Sequence, residues 1–383
     1  MEKIIYRNRR NTNSYKWDKI PSKYSGGETI AAWVADMDFA TPKCVRDAIV
    51  KSGRFGVYGY SYAGDGYFDN FIKWEKKRFN HKIEREWIRF STGVVAAINW
   101  IIQSMTNEGD AIIIQTPVYH QFAASVNSNN RKLVCNDLVN TKGIYTIDFD
   151  DFEKKIIQNN VKMFIMCSPH NPVGRVWKKE ELVRMMKICE EHNVIVLSDE
   201  IHHDFAYNKN KHIPTMNISD YDKLIMLTSS TKTFNLAALE NSIIIIKDKK
   251  LRDIYDAKTS DIHESSGNIL GYVAAEAAFG GGEEWLEQVK SIICSNYEYL
   301  KESLLGKFDK LTISPLEGTY LAWADFGAYL NPEEISDFFE KKCGVIFNLG
   351  EDFGGDCKTF VRINLATSKK NIQDICSRIK KNL

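Results

Sequence analysis

Short, unbroken apolar runs recur through the middle of the chain, and amphipathic stretches separate them. Runs of this kind that are rich in β-branched residues are typical of strands buried on both faces. Residues 179–192 carry apolar side chains at three- and four-residue spacing with charges opposite, which predicts a helix. Strands that alternate with helices predict an α/β domain with a mostly parallel central sheet sandwiched by helices. The apolar runs are residues 111–114, 161–166, 194–197, 223–227 and 242–246.

The pattern changes after the glycine triplet at residues 280–282. A long, charged helical pattern over residues 283–307 is followed by stretches in which apolar and polar residues alternate, as they do in strands. This order predicts a smaller α+β domain at the C-terminal end of the chain. The alternating stretches are residues 311–313, 319–323 and 360–365.

These patterns divide the chain into three predicted parts. Residues 1–45 look irregular and are expected to pack with the small domain. Residues 46–282 form the predicted large domain, and residues 283–383 form the small one. A chain of 383 residues, of which 44% are hydrophobic, is long enough for two lobes with a sizeable core.

Composition and charge argue against several classes of function. The chain has 51 basic and 50 acidic residues, and its net charge of +1 gives no indication of the excess positive charge that is typical of nucleic-acid-binding proteins. The eight cysteines show neither CxxC pairs nor the spacing of metal ligands, and we predict no metal site. Such cysteines are typical of small buried residues in a reducing compartment. Because no apolar stretch is long enough for a signal peptide or a membrane span, we expect a cytoplasmic protein without a membrane partner.

Polar clusters follow the first four apolar runs directly. Residues 115–120 follow the first run, residues 168–174 the second and residues 198–202 the third, while the fourth run leads to Lys232. The carboxyl ends of parallel strands meet at one edge of a sheet, where the ligands of α/β domains gather. We therefore expect the four clusters to lie along one rim and to form a ligand site.

Lys232 is the candidate for the central chemistry of this site. A lysine at the end of a buried strand is partly desolvated, which lowers its pKa, and a neutral amine can form a Schiff base with an aldehyde. The flanking hydroxyls of Ser229 and Thr231 can donate hydrogen bonds to a phosphate. Pyridoxal 5'-phosphate (PLP) requires both features. The alternative is a solvated lysine in a polar loop, which is what most lysines are.

Residues at the other strand ends fit the remaining parts of a PLP site. Asp199 ends an apolar run, and a protonated pyridine nitrogen would pair with its buried carboxylate. Asn171 and His202 can donate to the phenolate oxygen, and Tyr119 can stack on the ring. Each residue also has a purely structural alternative. Asp199 could cap a helix or pair with a lysine, and Asn171 could belong to an ordinary turn. His202 could be a hydrogen-bonded core histidine, and Tyr119 could be an ordinary packing residue.

Two further positions suit anionic groups. Gly93 precedes an expected helix over residues 94–105, and free N–H groups at a helix start, here those of Val94 and Val95, bind phosphate well. Arg362 lies in an alternating stretch of the small domain, and a guanidinium holds a carboxylate by two parallel hydrogen bonds. An amino-acid substrate would offer such a carboxylate, whereas the alternative for Arg362 is a surface salt bridge.

Taken together, these motifs resemble the fold-type I PLP-dependent enzymes of the aminotransferase class I/II superfamily. Within it, the chain is most similar to the cystathionine β-lyase, or C–S lyase, group, which includes the maltose-regulon modulator. The resemblance runs nearly end to end. It is carried by residues 33–39, 169–177, 198–202, 230–236 and 317–323.

The resemblance implies PLP as the cofactor and gives each candidate residue a role. It also implies a homodimer with shared active sites, in which Tyr60 reaches the phosphate of the neighbouring subunit, with Tyr58 as its rival. The resemblance implies that Lys232 attaches PLP covalently, that Asp199 pairs with the pyridine nitrogen and that Arg362 binds the substrate carboxylate. Asn171 and His202 would contact the O3' side of the ring, and Tyr119 would stack on it. The phosphate would be bound by Gly93, Val94, Val95, Ser229 and Thr231.

Two positions depart from the superfamily pattern. Many of its aminotransferases have a phosphate-gripping arginine eight residues after the lysine, where this chain has Glu240. Related lyases also lack that arginine, so the departure favours a lyase, while Ala238, in place of a common glycine, is neutral. The resemblance thus implies α,β-elimination on cystathionine or another S-substituted cysteine. The alternatives are an amino-acid aminotransferase and a regulatory protein that binds a transcription activator.

Overall fold

A computed structural model describes residues 2–20, 28–264 and 266–383 of the 383-residue chain. Met1 and residues 21–27, which belong to the predicted N-terminal part, lie outside the described residues. The architecture confirms the predicted α/β class, with a large domain built around a central sheet and a smaller α+β domain.

The regular elements have the following bounds. The strands are β1 (Ile30–Ala31), β2 (Ile88–Ser91), β3 (Ala111–Thr116), β4 (Lys132–Asp137), β5 (Val139–Thr141), β6 (Ile144–Thr146), β7 (Met163–Cys167), β8 (Ile195–Asp199), β9 (Leu224–Thr228), β10 (Ser242–Ile246), β11 (Thr312–Ile313), β12 (Leu321–Asp325), β13 (Val345–Ile346), β14 (Asn348–Leu349) and β15 (Phe360–Asn364). The helices are α1 (Tyr15–Asp18), α2 (Lys43–Phe55), α3 (Asp65–Phe79), α4 (Val94–Met105), α5 (Gln121–Ser128), α6 (Phe149–Asn159), α7 (Lys179–Glu191), α8 (Ser230–Thr233), α9 (Lys249–Asp261), α10 (Ile269–Gly281), α11 (Glu283–Leu305), α12 (Ile335–Asp337) and α13 (Lys369–Asn382).

Within the described residues, the central sheet has seven strands in the order β2-β10-β9-β8-β7-β3-β4. The five strands from β9 to β4 in this order run parallel, and β10 runs antiparallel to both of its neighbours. This topology confirms the mostly parallel sheet that the apolar runs predict. The fifth apolar run forms β10, whose direction could not be read from its composition.

Both faces of the sheet are buried, which explains why the strand sequences are unbroken apolar runs. Ile113 and Phe164 face a core formed with α6 and α7. Their neighbours Ile112 and Ile165 face a second core, formed with α4 and α9. Alternate residues of one strand thus enter different cores, and no position in the middle of the strand is left for a polar side chain.

In the small domain, α11 and α13 pack together beside an antiparallel sheet in the order β11-β12-β15-β14. The predicted strand at residues 319–323 begins two residues later, at Leu321, because Thr319 has a left-handed backbone with φ of 65°. Gly282 lies at the junction of α10 and α11, where a Cβ atom would collide with the Phe234 ring and the Ala278 carbonyl. The glycine triplet therefore allows close packing at the predicted domain boundary.

The N-terminal segment contacts both domains. Strand β1 pairs in parallel with β13 of the small domain, and the Asn364 N–H donates to the Ala32 carbonyl at 2.9 Å. The Asn235 side chain of the large domain bonds the backbone of Met37 and Phe39 at 2.9–3.0 Å. Helix α2 packs on α10, so the predicted boundary after residue 45 falls inside a helix of the large domain. The three-part division remains a prediction.

None of the helices in the described ranges combines the length and apolar character that crossing a membrane requires.

Candidate active site

A cavity of about 670 Å³ opens where the parallel strands end. It brings the four polar clusters together with the start of α4, the N-terminal segment and the small domain. The predicted common rim therefore exists. The predicted site residues in its wall are Gly93, Val94, Val95, Tyr119, Asn171, Asp199, His202, Thr231, Lys232 and Arg362.

Lys232 lies in the short helix α8, three residues beyond its capping residue Ser229 and four beyond the end of β9. Its ammonium donates to the Ala35 carbonyl of the N-terminal segment at 2.7 Å. Ala35 also accepts from the Tyr320 hydroxyl at 2.8 Å. The amine is thus held by backbone from a distant segment, and no carboxylate of the described residues forms an ion pair with it.

Burial shifts the pKa of both central charged groups towards neutrality. It lowers the pKa of Lys232 to about 8, although the Asp36 and Asp199 carboxylates oppose this shift. Burial raises the pKa of Asp199 to about 7, although a hydrogen bond from the Ile201 N–H at 3.1 Å opposes it. Asp199 ends β8 and forms no ion pair with any basic side chain that the structure describes. A cationic group that enters the cavity would therefore stabilise its charged form.

His202 presents a buried nitrogen without a partner. Its Nδ1 atom has no hydrogen-bond partner among the described residues, and its ring packs edge to face on Tyr320 with centroids 5.5 Å apart. Burial, helped by the Lys232 and Arg362 charges, lowers the pKa of His202 well below its usual value. The imidazole is therefore neutral and can donate one hydrogen bond to a ligand oxygen in the cavity.

Arg362 is buried in the middle of β15 without a carboxylate partner in the described parts of the chain. Its guanidinium donates to the Asn171 amide oxygen at 3.0 Å, to the Asn348 amide oxygen at 2.6 Å and to the Trp33 carbonyl at 3.1 Å. Its Nε atom has no partner, and burial lowers the pKa of Arg362 to about 10. Because its oxygen faces Arg362, Asn171 presents its NH₂ group to any further acceptor. A carboxylate ligand would supply the missing negative charge.

The start of α4 leaves room for an anion. Gly93 is the N-cap residue, with an extended φ of −171°, so the backbone conformation does not require glycine. A Cβ atom there would meet no atom within 4 Å. The missing side chain instead opens the cavity to the N–H groups of Val94 and Val95, and Thr231 lies in the same wall. This end of the cavity fits a phosphate.

Ser229 and Tyr60 do not line this cavity. The Ser229 hydroxyl donates to the Asn241 carbonyl at 2.6 Å and accepts from the Thr231 N–H at 3.0 Å, so it caps α8 instead of facing the ligand space. Tyr60 is fully exposed and lines a different cavity, between α2 and α10. Its rival Tyr58 bonds the Gly53 carbonyl at 3.3 Å. The predicted phosphate contacts of Ser229 and Tyr60 remain predictions.

Glu240 is exposed and is not part of the cavity wall. Tyr119 is in the wall beside His120, with ring centroids 4.9 Å apart, and burial raises the pKa of its hydroxyl. Its ring belongs to the cavity wall, and its stacking role remains a prediction.

Sequence reasoning missed part of the wall. The residues Trp33, Val34 and Ala35 come from the N-terminal segment, where the string 33–39 carried a family resemblance but no structural pattern. The other missed wall residues are Tyr15, Thr92, His120, Gln121, Cys167, Ile201, Ala237, Ser242, Asn348 and Asp352. Of these, His120 and Ile201 lie in polar clusters at strand ends. Asn348 lies in the two-residue strand β14 and Asp352 just after it, and neither position shows a periodic pattern in the sequence.

Comparison with known proteins agrees with this geometry. The cystathionine beta-lyase PatB of Bacillus subtilis (strain 168) is 35% identical over 97% of this chain and 97% of its own. The PLP-bound putative aminotransferase from Clostridium difficile 630 is 38% identical, with a TM-score of 0.95 and 98% of both chains covered. The PLP-bound C-S lyase from Staphylococcus hominis is 35% identical, with a TM-score of 0.92 over 98% of this chain and 96% of its own.

The family of aminotransferases of class I and II matches residues 34–379, which include every residue of the central sheet and most of the cavity wall. This match spans both domains and the segment that carries Ala35. The chain therefore belongs to the aminotransferase class I and II family.

Proposed function

We propose that the protein is a PLP-dependent carbon–sulfur β-lyase that cleaves cystathionine or a related S-substituted cysteine into a thiol, pyruvate and ammonia. The observation that carries this proposal is a pair of unmatched buried charges in one cavity. The Asp199 carboxylate and the Arg362 guanidinium form no ion pair among the described residues. A cationic cofactor ring and an anionic substrate would supply both countercharges.

The cavity residues fit PLP at each of its functional groups. Lys232 would hold the aldehyde carbon, Asp199 the ring nitrogen, and Asn171 with His202 the O3' atom. Val94, Val95 and Thr231 would hold the phosphate, with Gly93 leaving the space. Bound PLP supplies an electron-withdrawing ring that stabilises negative charge at the substrate's α-carbon.

The chain's own residues bind the substrate and move its proton. Arg362 holds the α-carboxylate and so fixes the orientation of the bonds around the α-carbon. The substrate's amine would take the place of Lys232 at the aldehyde carbon and so free the lysine side chain. The freed Lys232 amine, neutral in part because its pKa is lowered to about 8, would then take the proton from the α-carbon. Loss of that proton and of the β-sulfur gives the thiol, and the remaining three-carbon unit hydrolyses to pyruvate and ammonia.

An aminotransferase is the second candidate, because the Clostridium difficile protein described as a putative aminotransferase shares 38% of its residues with this chain. Such an enzyme would use the same cavity residues. The lyase is favoured by the names of the Bacillus and Staphylococcus relatives and by Glu240, where a phosphate-gripping arginine is absent.

The two candidates are separated by one assay. Purified protein loaded with PLP is given L-cystathionine without any keto acid, and pyruvate and free thiol are measured. A lyase releases both in equal amounts. Turnover that requires an added keto acid would instead establish the aminotransferase.

We further propose that the protein acts as a cytoplasmic homodimer. Exposed Phe55, Val57, Tyr58, Tyr60 and Tyr62 support an interface with a second copy, since clustered exposed aromatic residues mark interaction surfaces. The buried thiols of Cys167, Cys189 and Cys376 are compatible with a reducing compartment. Sedimentation of the purified protein tests the dimer, and a monomer at assay concentrations would contradict it.

A further inference from the structure

We infer that Asp204 is a positioning residue that fixes the turn carrying Lys232 to the turn carrying Asp199 and His202, and that it acts through the Thr233 hydroxyl. The inference rests on the proposed function, because it assigns the spacing of those side chains to a group outside the cavity. Neither Asp204 nor Thr233 lines the cavity.

One buried carboxylate joins three parts of the large domain. Asp204 Oδ2 accepts from the Thr233 hydroxyl at 2.8 Å and from Trp74 Nε1 at 3.3 Å. Its Oδ1 pairs with Arg78 Nε at 2.8 Å. Thr233 is the neighbour of Lys232 in α8, Asp204 belongs to the segment that follows β8, and Trp74 and Arg78 lie on α3. The Thr233 bond is thus a direct link between the two halves of the site.

The carboxylate is held in turn by a paired network. His203 lies between two acids, with Nε2 at 3.1 Å from Glu75 Oε1 and at 3.4 Å from Asp204 Oδ2. Its Nδ1 faces the Glu200 carbonyl at 2.6 Å, and the two carboxylates near Nε2 favour the charged imidazolium form. Burial alone would lower the pKa of His203, but the Asp204 and Glu75 charges outweigh it and raise the pKa to about 9.

The segment after β8 is fixed on its other side as well. The Glu200 carboxylate is bonded by the Ser198 hydroxyl at 2.8 Å, the Thr215 N–H at 3.0 Å and His212 Nε2 at 2.6 Å. Asp199 and His202 therefore project from a rigid turn. The position of Lys232 relative to them then depends on how α8 is attached, and Thr233 provides the side-chain attachment closest to the amine.

The experiment removes this one hydroxyl. Thr233→Val deletes the donor and leaves the Asp204–Arg78 ion pair in place. Thr233→Ser restores a hydroxyl and serves as the rescue variant. Thr259→Val is the matched control, because Thr259 is also a buried threonine in a helix and its hydroxyl bonds only backbone carbonyls of α9.

Each PLP-loaded variant is compared with the wild type by kcat and KM for L-cystathionine and by the absorbance at roughly 420 nm that reports lysine-bound cofactor. Thr233→Val should lower kcat by about ten- to a hundredfold, the range expected when a reacting group is misplaced by a fraction of an ångström to one ångström. Its KM should stay unchanged because Arg362 is untouched, and its absorbance band should weaken. Thr233→Ser should recover most of both signals, and Thr259→Val should match the wild type.

A folded Thr233→Val protein with the kcat and absorbance of the wild type would overturn the inference. So would a loss of kcat that Thr233→Ser fails to recover. If Thr233→Val does not fold, Thr233→Ala removes the same hydroxyl without a new methyl group and is judged by the same two criteria. Failure of the proposed function looks different, since the wild type itself would then release no pyruvate from L-cystathionine without a keto acid. The absorbance band of the wild type would persist in an aminotransferase and would be absent in a protein that does not bind PLP.

Discussion

Two groups of buried charges include residues of the turn at residues 199–204, and their charges are balanced in opposite ways. Outside the cavity wall, Glu75, His203 and Asp204 each contact an opposite charge within 3.5 Å. In the cavity, Asp199 and Arg362 contact only uncharged groups among the described residues. Burial of an unpaired charge is costly, so the fold tolerates it where a ligand supplies the countercharge. The difference separates residues that support the site from residues that bind.

The largest effect should come from the amine itself. Lys232→Ala should abolish both the absorbance at roughly 420 nm and the release of pyruvate, because the described cavity wall contains no other lysine to attach the cofactor. Lys290→Ala is the control, since burial lowers the pKa of Lys290 too but its side chain lies outside the cavity. Absorption spectra of the PLP-loaded proteins measure the outcome. A Lys232→Ala protein that keeps its colour would place the covalent link elsewhere.

Removing one acid from each group should change stability in different directions. In cofactor-free protein, Glu75→Gln removes one of the two acids beside the imidazolium of His203 and the carboxylate that His81 Nδ1 contacts at 2.9 Å. It should cost about 3–5 kcal/mol of the free energy of unfolding, as breaking a buried ion pair does. Asp199→Asn removes an unpaired carboxylate and should leave that free energy unchanged or raise it at pH 8. Urea unfolding of both variants tests this contrast. Equal losses in the two variants would remove the distinction between supporting and binding charges.

The same contrast predicts that the contributions of Asp199 and Glu75 to the free energy of unfolding depend on pH in opposite directions. The pKa of Asp199 is raised from 3.8 to about 7, so between these pH values the folded protein binds more protons than the unfolded chain. The contribution of Asp199 to the free energy of unfolding therefore falls as the pH rises from 3.8 to 7. The slope is up to about 1.4 kcal/mol per pH unit. The pKa of Glu75 is lowered from 4.5 to about 2, so its contribution is present above pH 4.5 and is lost as the pH falls towards 2.

Unfolding of cofactor-free wild type, Asp199→Asn and Glu75→Gln across a pH series measures these slopes. The difference between wild type and Asp199→Asn should shrink as the pH falls from 7 to 4 and stay constant above 7. A constant difference over the whole range would mean that the pKa of Asp199 is not raised in the folded protein.

A smaller effect is expected when the arginine proposed to bind the substrate's carboxylate is removed. Arg362→Ala should raise the KM for L-cystathionine about ten- to a hundredfold, the equivalent of about 1.5–3 kcal/mol for a charge-assisted hydrogen bond, while the absorbance of bound PLP persists. Arg252→Ala is the control, because Arg252 is buried to a similar extent but donates to backbone carbonyls of Ile246 and Lys247 outside the cavity. An unchanged KM in Arg362→Ala would assign the carboxylate to another residue.

The smallest effect is expected at the phosphate end. Gly93→Ala adds a methyl group into open cavity space, so the free energy of unfolding of cofactor-free protein should change by less than about 0.5 kcal/mol while PLP binds more weakly. Gly64→Ala is a matched control, since Gly64 is also an N-cap residue, that of α3, and its added Cβ would also meet nothing within 4 Å. Titration with PLP should separate the two variants. Equal affinities would exclude an approach of the phosphate to Gly93.

The central part of this site was predictable because its residues follow strands directly. Asp199 ends β8, and Lys232 comes just after β9. A continuous apolar run fixes where a buried strand ends, and parallel pairing brings those ends together, so adjacency in space follows from position in the chain. The start of α4 at Val94 was predictable for a different reason, because Gly93 directly precedes a helical pattern.

The rest depended on contacts between distant segments. The Ser229 hydroxyl was expected to contact a phosphate, which remains a prediction; its direction in the structure is set by the cap of α8 and by Asn241, twelve residues further on. The position of Trp33 and Ala35 in the cavity wall follows from Asn235 binding the backbone of the N-terminal segment. An irregular segment has no periodic pattern from which such a long-range hydrogen bond could be predicted. Composition and residue spacing likewise cannot predict the direction in which a single hydroxyl points.

The bond from Lys232 to the Ala35 carbonyl spans 197 positions of the chain and has a practical consequence for shortening the protein. A version that began at residue 37 would still contain every strand of the seven-stranded sheet. It would nevertheless lack the acceptor that holds the amine and the Trp33 carbonyl that Arg362 binds. Truncations made for expression or crystallisation should therefore begin before Tyr15, so that they keep this wall residue and the strand that anchors the stretch to β13.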